Sequence, residues 1–245
     1  MRVIKAVWEL ENLGKHTTEF ELEPGDDKEL CDLIAAIGAN EQEYNVIKLD
    51  SSLSSLLLPL AQNGYSFIES QFIFLAQYDD LKMNSIQQRI ANSISVRPMA
   101  LDDSDAMQRL FYEVSLGMFD TDRIALDPHF GVQVSAKRYI NWLKSAMQGG
   151  SQVYEYIYKE KPIGFSAIKD MPDASQEPFL GGMYDEFRKS GLGMVIVAKD
   201  LQIIANNGTK AAPVAVSSNN PAVWKLYLQL GYTLLQVKHV LVKHA

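Results

Sequence analysis

The residues best suited to chemistry in this chain form a glycine turn between positions 188 and 193. The turn follows the pattern Arg-x-x-Gly-x-Gly and consists of Arg188, Lys189, Ser190, Gly191, Leu192 and Gly193. An apolar run at 179–184 precedes it, and an apolar helical pattern ending at Asn207-Gly208 follows it. A helix N-terminus offers unpaired N–H groups and partial positive charge, and glycines let a phosphate approach the backbone. We expect a strand, a phosphate-binding turn and a helix, although glycines after a strand can also serve only to shape a loop.

A second motif lies further along the chain, between Ser218 and Tyr232. Asn220 is predicted to cap a helix, Pro221 to be its first residue and Gly231 to end it. The end of this helix reads Leu-Tyr-x-x-Leu-Gly-Tyr, in which the first tyrosine is Tyr227. With a reference pKa of about 10, a tyrosine is protonated at neutral pH and can donate a proton.

In this order and spacing, the two motifs resemble the acetyl-CoA-binding core of the GNAT superfamily of N-acyltransferases. The resemblance implies that a backbone N–H near Met183 faces the thioester carbonyl, and that the amides of residues 189–193 bind the pyrophosphate. It also implies that Asn220 hydrogen-bonds the pantetheine arm and that Tyr227 protonates the departing CoA thiolate. Two alternatives stay open: Asn220 as a helix cap alone, and Tyr227 as a core aromatic on an amphipathic helix.

The loop at 117–130 and the helix after it contain the candidate acceptor site. Arg123 is followed by Asp-Pro-x-Phe and then by Ala-x-x-Tyr-x-x-Trp, which ends with Tyr139 and Trp142. This pattern resembles bacterial N-acetyltransferases of nucleotide-linked amino sugars, of the dTDP-fucosamine type. The resemblance implies that Arg123, Tyr139 and Trp142 contact the substrate, although aromatic residues at helical spacing also fit a core. His129 is interpreted as a surface residue.

No general base is identified by the sequence; Glu177 and Asp185 are guesses. His16, His239 and His244 have no evident partners, and no cluster has metal-ligand spacing, so we expect no metal.

Residues 1–92 are predicted to form a degenerate GNAT-like domain and residues 93–245 a complete acyl-CoA-binding domain with a central mixed sheet. The predicted elements of the first part are strands at 3–8 and 44–49, helices at 27–37 and 54–62, and an extended segment at 65–76. The segment 60–68 resembles 227–235, since each gives a helix end, a Gly-Tyr stop and an apolar strand. The first copy lacks the glycine turn, the Asn-Pro-Ala segment and the tyrosine, so we expect no second CoA site. The fold class is therefore α/β, as a tandem GNAT-like fold.

Composition excludes several partners. The formal net charge of -7 argues against nucleic acid and anionic membranes, because such binding needs clustered Lys and Arg. No apolar run has the length of a membrane span, and no signal-peptide pattern begins the chain. The single cysteine, Cys31, is expected to be buried and cannot form an internal disulfide, which favours the reducing cytoplasm. The assembly state is open, with a homodimer as one option.

Three functions follow from these patterns. The first is an acyl-CoA-dependent N-acyltransferase that acylates a 3- or 4-amino-dideoxyhexose linked to dTDP, for surface polysaccharide. The second is an acetyltransferase for a protein N-terminus, a polyamine or an antibiotic amine, and the third is a non-enzymatic CoA-binding module. Because Gly181-Gly182 lacks side chains on the cofactor strand, the donor is expected to be acetyl-CoA or a short hydroxyacyl-CoA such as 3-hydroxybutyryl-CoA. The alternative is that the two glycines only shape a bulge in this strand and leave donor choice to other residues.

Overall fold

The computed structural model describes residues 1–26, 29–171, 175–209 and 211–245, with the backbone alone at 211 and 212. Its strands are β1 (Arg2–Lys5), β2 (Thr17–Leu22), β3 (Tyr44–Asp50), β4 (Ser66–Gln77), β5 (Ile94–Met99), β6 (Gln152–Tyr158), β7 (Lys161–Asp170), β8 (Gln176–Met183), β9 (Ala211–Ser217) and β10 (Thr233–His244). Its α-helices are α1 (Glu9–Leu13), α2 (Leu30–Gly38), α3 (Leu57–Gln62), α4 (Ser85–Ser93), α5 (Ser104–Ser115), α6 (Arg123–Leu126), α7 (Val132–Gln148), α8 (Gly193–Asn206) and α9 (Pro221–Leu230).

The strands form two sheets that meet at β8 and β9. One sheet has six strands in the order β1-β2-β3-β10-β4-β9, and the other has four in the order β5-β6-β7-β8. The β2–β3 pair is parallel, and the other pairs are antiparallel. The predicted mixed α/β class is therefore confirmed, and the larger sheet is the central mixed sheet.

Two copies of a strand–helix–strand unit exchange their last strands at the centre of the larger sheet. β3 leads through α3 to β4, as β9 leads through α9 to β10. Asp50 pairs with Lys238, and in the equivalent position Ser217 pairs with Gln71. Gln71 and Lys238, the equivalent residues of β4 and β10, also pair with each other. The sequence similarity between 60–68 and 227–235 thus coincides with a symmetric strand exchange.

Helices cover both sheets. On the larger sheet, α2 and α3 bury Phe20, Ile47 and Leu241, while the opposite face packs against Ile124 of α6 and against Phe130, which lies between α6 and α7. On the smaller sheet, α5 and α7 cover one face and α4 and α8 the other. One face of the larger sheet, which contains the N-terminal strands, is therefore covered by α6 and α7 from the second half of the chain.

Several local predictions differ from the structure. The helix expected at 27–37 is α2, while Asp27 and Lys28 lie outside the described residues. Helix α1 and strand β2 were not predicted. In β2 the polar Glu19 is buried because it pairs with the distant Arg123, so the strand lacks the usual alternation of buried apolar and exposed polar residues. Cys31 is exposed rather than buried. The domain boundary near residue 92 stays a prediction, since α4 packs on α8 and β10 belongs to the N-terminal sheet.

Candidate active site

The candidate site begins where the two sheets separate. β8 is the edge of the smaller sheet and β9 the edge of the larger one, and the two strands lie side by side. Within the described ranges, neither pairs with the other. Because an edge strand leaves N–H and C=O groups free, the opening between β8 and β9 can accept an extended polar ligand.

A buried ionic network fixes the end of β8. Glu155 is buried and accepts hydrogen bonds from Arg109 at 2.9 Å and from the Tyr184 hydroxyl at 3.0 Å. Burial, together with the charge of Glu155, raises the pKa of Tyr184. These contacts hold Tyr184, the residue after Met183, in a fixed position at the start of the turn that follows β8.

The predicted glycine turn lies at the N-terminus of α8, which begins at Gly193. Ser190 Oγ donates to the Phe187 carbonyl at 2.7 Å and accepts from Leu192 N–H at 3.2 Å, which closes the turn. Among the described residues, the N–H groups of Gly191, Gly193 and Met194 have no acceptor. Three free donors beside a helix dipole are the arrangement that binds phosphate.

Glycine is required for the shape of this turn at Gly191, where φ is +77° and a Cβ would meet nothing within 4 Å. The space in front of it is therefore open. Two exposed basic residues, Arg188 and Lys189, precede it. Arg188 Nε is 3.4 Å from Asp185, an exposed pair of small energetic value, so it stays available to an anion.

The second motif meets the first across Gly193. A Cβ built there would lie 3.9 Å from Met183 Cγ and 3.8 Å from Leu226 Cδ1, so β8, α8 and α9 converge at this point. Asn220 caps α9, because its side chain accepts from Val223 N–H at 3.3 Å. The capping alternative for Asn220 therefore holds in this structure, and its contact with a pantetheine stays a prediction.

Tyr227 lies within the apolar cluster of α8, α9, β4 and β9 and is 9% exposed. Its ring stacks on Tyr232 at 4.7 Å and meets Phe74 edge-on at 5.7 Å. Its hydroxyl has no hydrogen-bond partner among the described residues. Burial raises the pKa of Tyr227, which keeps the hydroxyl protonated at neutral pH. The residue is thus a core aromatic whose proton is free for a ligand.

Met118 fills the space that the sequence assigned to a longer acyl chain. A Cβ at Gly182 would lie 2.3 Å from Met118 Sδ and 2.9 Å from its Cγ. Gly181 offers no room either, since a Cβ there would lie 3.1 Å from the Phe165 carbonyl oxygen. The missing side chains at Gly181 and Gly182 therefore make room for Met118, in the loop after α5, and for strand β7. This corrects the expectation that the two glycines leave an empty pocket for a longer acyl chain.

The three candidate acceptor residues differ in their contacts. Tyr139 and Trp142 belong to an aromatic row that runs from Phe119 to Phe179 on β8, with successive centroids 4.2, 5.9 and 5.2 Å apart. Trp142 is 38% exposed, so this row reaches the surface beside the cofactor strand. The row is compatible with the predicted role of Tyr139 and Trp142 in binding.

Arg123 forms an ion pair with the N-terminal half of the molecule. It is 5% exposed and forms an ion pair with Glu19 of β2 at 2.8 Å. Burial alone would raise the pKa of Glu19, but the charges of Arg123 and Lys48 lower it to about 2. Arg123 therefore joins the two halves of the molecule through Glu19, and its contact with substrate stays a prediction.

Some polar groups escaped the sequence analysis because their partners are distant in the chain. Glu69 of β4 is 3% exposed, and burial raises its pKa. The two guesses for a base, Glu177 and Asp185, instead form ion pairs with Lys169 and Arg188. Asp127, His129 and His244 meet although His244 had no evident partner. The contact between Asp127 and His244 joins residues 117 apart, so no pattern within one segment could have predicted it.

Comparison with known proteins gives one similar sequence and many similar folds. No protein-family model matches the chain. A mycothiol acetyltransferase of Corynebacterium efficiens is 30% identical over 78 residues, which are 32% of this chain and 26% of that protein.

Solved structures match at lower identity over more of the chain. The GCN5-related glucosamine N-acetyltransferase region of a fungal multi-domain beta-N-acetylglucosaminidase has a TM-score of 0.61 at 11% identity, over 98% of this chain and 30% of that one. A tandem GNAT protein from the clavulanic acid biosynthesis pathway has a TM-score of 0.55 at 9% identity, over 93% and 75%. The chain has the fold of the GNAT N-acetyltransferases, in a tandem arrangement. Among the described helices, none is both long and apolar enough to cross a membrane.

Proposed function

We propose that this protein is an acyl-CoA-dependent N-acyltransferase whose acceptor is the amino group of a nucleotide-linked amino-deoxy sugar. The observation that carries the proposal is the opening between β8 and β9, which ends at three unpaired N–H groups. In this proposal the pyrophosphate of CoA binds residues 188–193, and the pantetheine extends along β8 towards Met118.

The reaction requires one group to donate a proton and another to remove one. The amine attacks the thioester carbonyl, the C–S bond breaks, and the thiolate takes a proton. Tyr227 is the proposed donor, because its hydroxyl is protonated and free. Burial in the apolar cluster, together with the nearby Asp200, raises the pKa of Tyr227 and so keeps its proton in place until the thiolate forms.

Glu69 is the proposed acceptor of the amine proton. A buried carboxyl with a raised pKa takes up protons near neutral pH more readily than an exposed one. It lies on β4 beside the end of β9, whose Ser217 forms a hydrogen bond with it. If this role is correct, Glu69→Gln should lower kcat and remove the acidic limb of the pH–rate profile; an unchanged profile would exclude it.

The aromatic row supports a ring-shaped acceptor. Sugar rings and nucleobases stack on exposed aromatic faces, and Trp142 provides one beside β8. Arg138, which forms an ion pair with buried Glu9 at 2.6 Å, lies 5.9 Å from the ring centres of both Tyr139 and Trp142 and packs against the row. A dTDP-linked 3- or 4-amino-dideoxyhexose offers rings that suit the exposed aromatic face, and its product would be a precursor for surface polysaccharide.

The function is tested by measuring CoA release with each class of acceptor. Purified protein is incubated with acetyl-CoA or 3-hydroxybutyryl-CoA and with dTDP-amino sugars, free amino sugars, N-terminal peptides, polyamines or aminoglycosides. We expect thiol release and an acylated product when the acceptor is a dTDP-amino sugar, and neither with the other acceptors. Turnover only with a peptide, polyamine or antibiotic would select the second function, and CoA binding without turnover would select the third.

A further inference from the structure

Two histidines and one aspartate meet on the far side of the larger sheet, away from the β8–β9 opening. Asp127 and His129 lie between α6 and α7, and His244 lies on β10. Asp127 Oδ1 is 3.1 Å from His129 Nδ1, and Asp127 Oδ2 is 2.8 Å from His244 Nε2. The three ligand atoms all lie within 4.8 Å of one another.

The backbone holds this cluster in place. His129 N–H donates to Asp127 Oδ1 at 3.0 Å, and Phe130 N–H donates to the Asp127 carbonyl at 3.0 Å. On β10, His244 is paired in register with Tyr44, whose ring lies 4.8 Å from the imidazole. The two histidine rings stack at 3.9 Å. Backbone hydrogen bonds and ring packing thus hold the three ligand atoms towards one another.

The chemistry of the three groups suits a cation. Asp127 is 2% exposed. Its Oδ1 faces Nδ1 of His129 and its Oδ2 faces Nε2 of His244. An ionised carboxylate with two imidazole nitrogens is the ligand set of many zinc sites, which bind at about 2.0–2.2 Å and accept water as a fourth ligand. The His129 side chain is 63% exposed, so solvent and metal can enter.

We propose that Asp127, His129 and His244 bind one divalent transition-metal ion of the zinc class. Oδ2 or Oδ1 of the carboxylate, Nδ1 of His129 and Nε2 of His244 are the ligands, and water completes a tetrahedral shell. The ion joins the loop between α6 and α7 to β10, and so fastens this loop to the larger sheet. This site is independent of acyl transfer.

The test uses tag-free, full-length protein that has been stripped with EDTA and dialysed. Zn²⁺ is titrated by calorimetry, and Co²⁺ is added separately to record its visible absorption. We expect one Zn²⁺ per chain, an intense Co²⁺ band typical of tetrahedral geometry, and a higher Tm with Zn²⁺ because the ion binds only the folded state.

Variants identify the ligands. His129→Ala removes an exposed side chain and should leave the fold intact, while Zn²⁺ affinity falls at least tenfold, since even the loss of an outer partner weakens metal binding about 10- to 100-fold. His244→Ala should have a similar effect. His239→Ala is the matched control, because His239 also lies on β10 but bonds Ser70 at 3.0 Å. No saturable binding, or unchanged affinity in folded His129→Ala protein, would overturn the proposal.

Discussion

The two halves of the molecule share a strand–helix–strand unit but differ in the strand beside it. In the N-terminal half, β2 pairs with β3 along its whole length, from Thr17–Tyr44 to Leu22–Leu49. In the C-terminal half, the corresponding neighbours β8 and β9 belong to different sheets. A paired strand uses its N–H and C=O groups within the sheet, so only the second half can place a ligand between its strands. Two features therefore distinguish the C-terminal half, with its proposed cofactor site, from the N-terminal half: the glycine motif, and two neighbouring strands that do not pair with each other.

The helix next to these strands also differs between the halves. When the internal copies are aligned, Leu33 of α2 corresponds to Asp200 of α8. Leu33 packs in an apolar core, whereas Asp200 accepts hydrogen bonds from Ser166 at 2.5 Å and from the Tyr156 hydroxyl. The C-terminal half therefore has a buried polar group under the helix that begins at the proposed phosphate site.

The largest expected effect is the loss of CoA binding in Gly191→Asp. The new carboxylate would face the pyrophosphate at a distance where like charges repel by about 4 kcal/mol, so affinity should fall by more than about a hundredfold. Gly14→Asp is a matched control in the other half, with φ of +67° and no atom within 4 Å of its Cβ. Calorimetric titration of both folded variants checks the difference, and equal affinities would remove the turn from the site.

Tyr227→Phe should lower kcat by roughly ten- to ten-thousandfold with little change in CoA affinity, because a positioned acid is lost. Tyr232→Phe is the control, since its ring stacks on Tyr227 and it is also buried. Steady-state kinetics with a dTDP-amino sugar, or with whichever acceptor the protein uses, separates the two. Wild-type turnover in Tyr227→Phe would leave that residue with a packing role only.

Met118→Ala should change the choice of acyl donor by removing the side chain over Gly182. We expect kcat/KM for 3-hydroxybutyryl-CoA relative to acetyl-CoA to rise about tenfold, the usual effect of a methylene-sized change in a pocket. Met147→Ala, in the same apolar cluster, serves as the control. If the two variants show the same donor ratio, Met118 does not border the acyl group.

The smallest effect concerns the pH dependence of stability. Burial raises the pKa of Asp200 from 3.8 to about 7, despite the hydrogen bonds from Ser166 and Tyr156. The folded state therefore holds this proton more tightly than the unfolded state, and the resulting stabilisation is lost as pH rises from about 4 through 7.

Wild-type Tm should fall relative to that of Asp200→Asn over this range, by something on the order of 5 °C, and the difference should be constant above it. Asp32→Asn, at an exposed site on α2, should follow the wild type. Parallel Tm curves for Asp200→Asn and wild type would show that Asp200 is already ionised at low pH.

The sequence predicts the fold class and the backbone of the site because these depend on local patterns. Residues 188–193 and Asn220 lie where glycine and capping rules put them. The pairing of Arg123 with Glu19, 104 residues away, could not be predicted, because the sequence does not show which distant charges meet. Met118 over Gly182 was missed for the same reason, since a loop side chain is positioned by packing across the fold.

The number of CoA molecules bound per chain tests the difference between the halves most directly. Calorimetric titration of the full chain with CoA should give one site, and Gly191→Asp should abolish it. The closed β2–β3 pair and the absence of a glycine turn there predict no residual binding. A stoichiometry of two, or one site that survives in Gly191→Asp, would contradict the account.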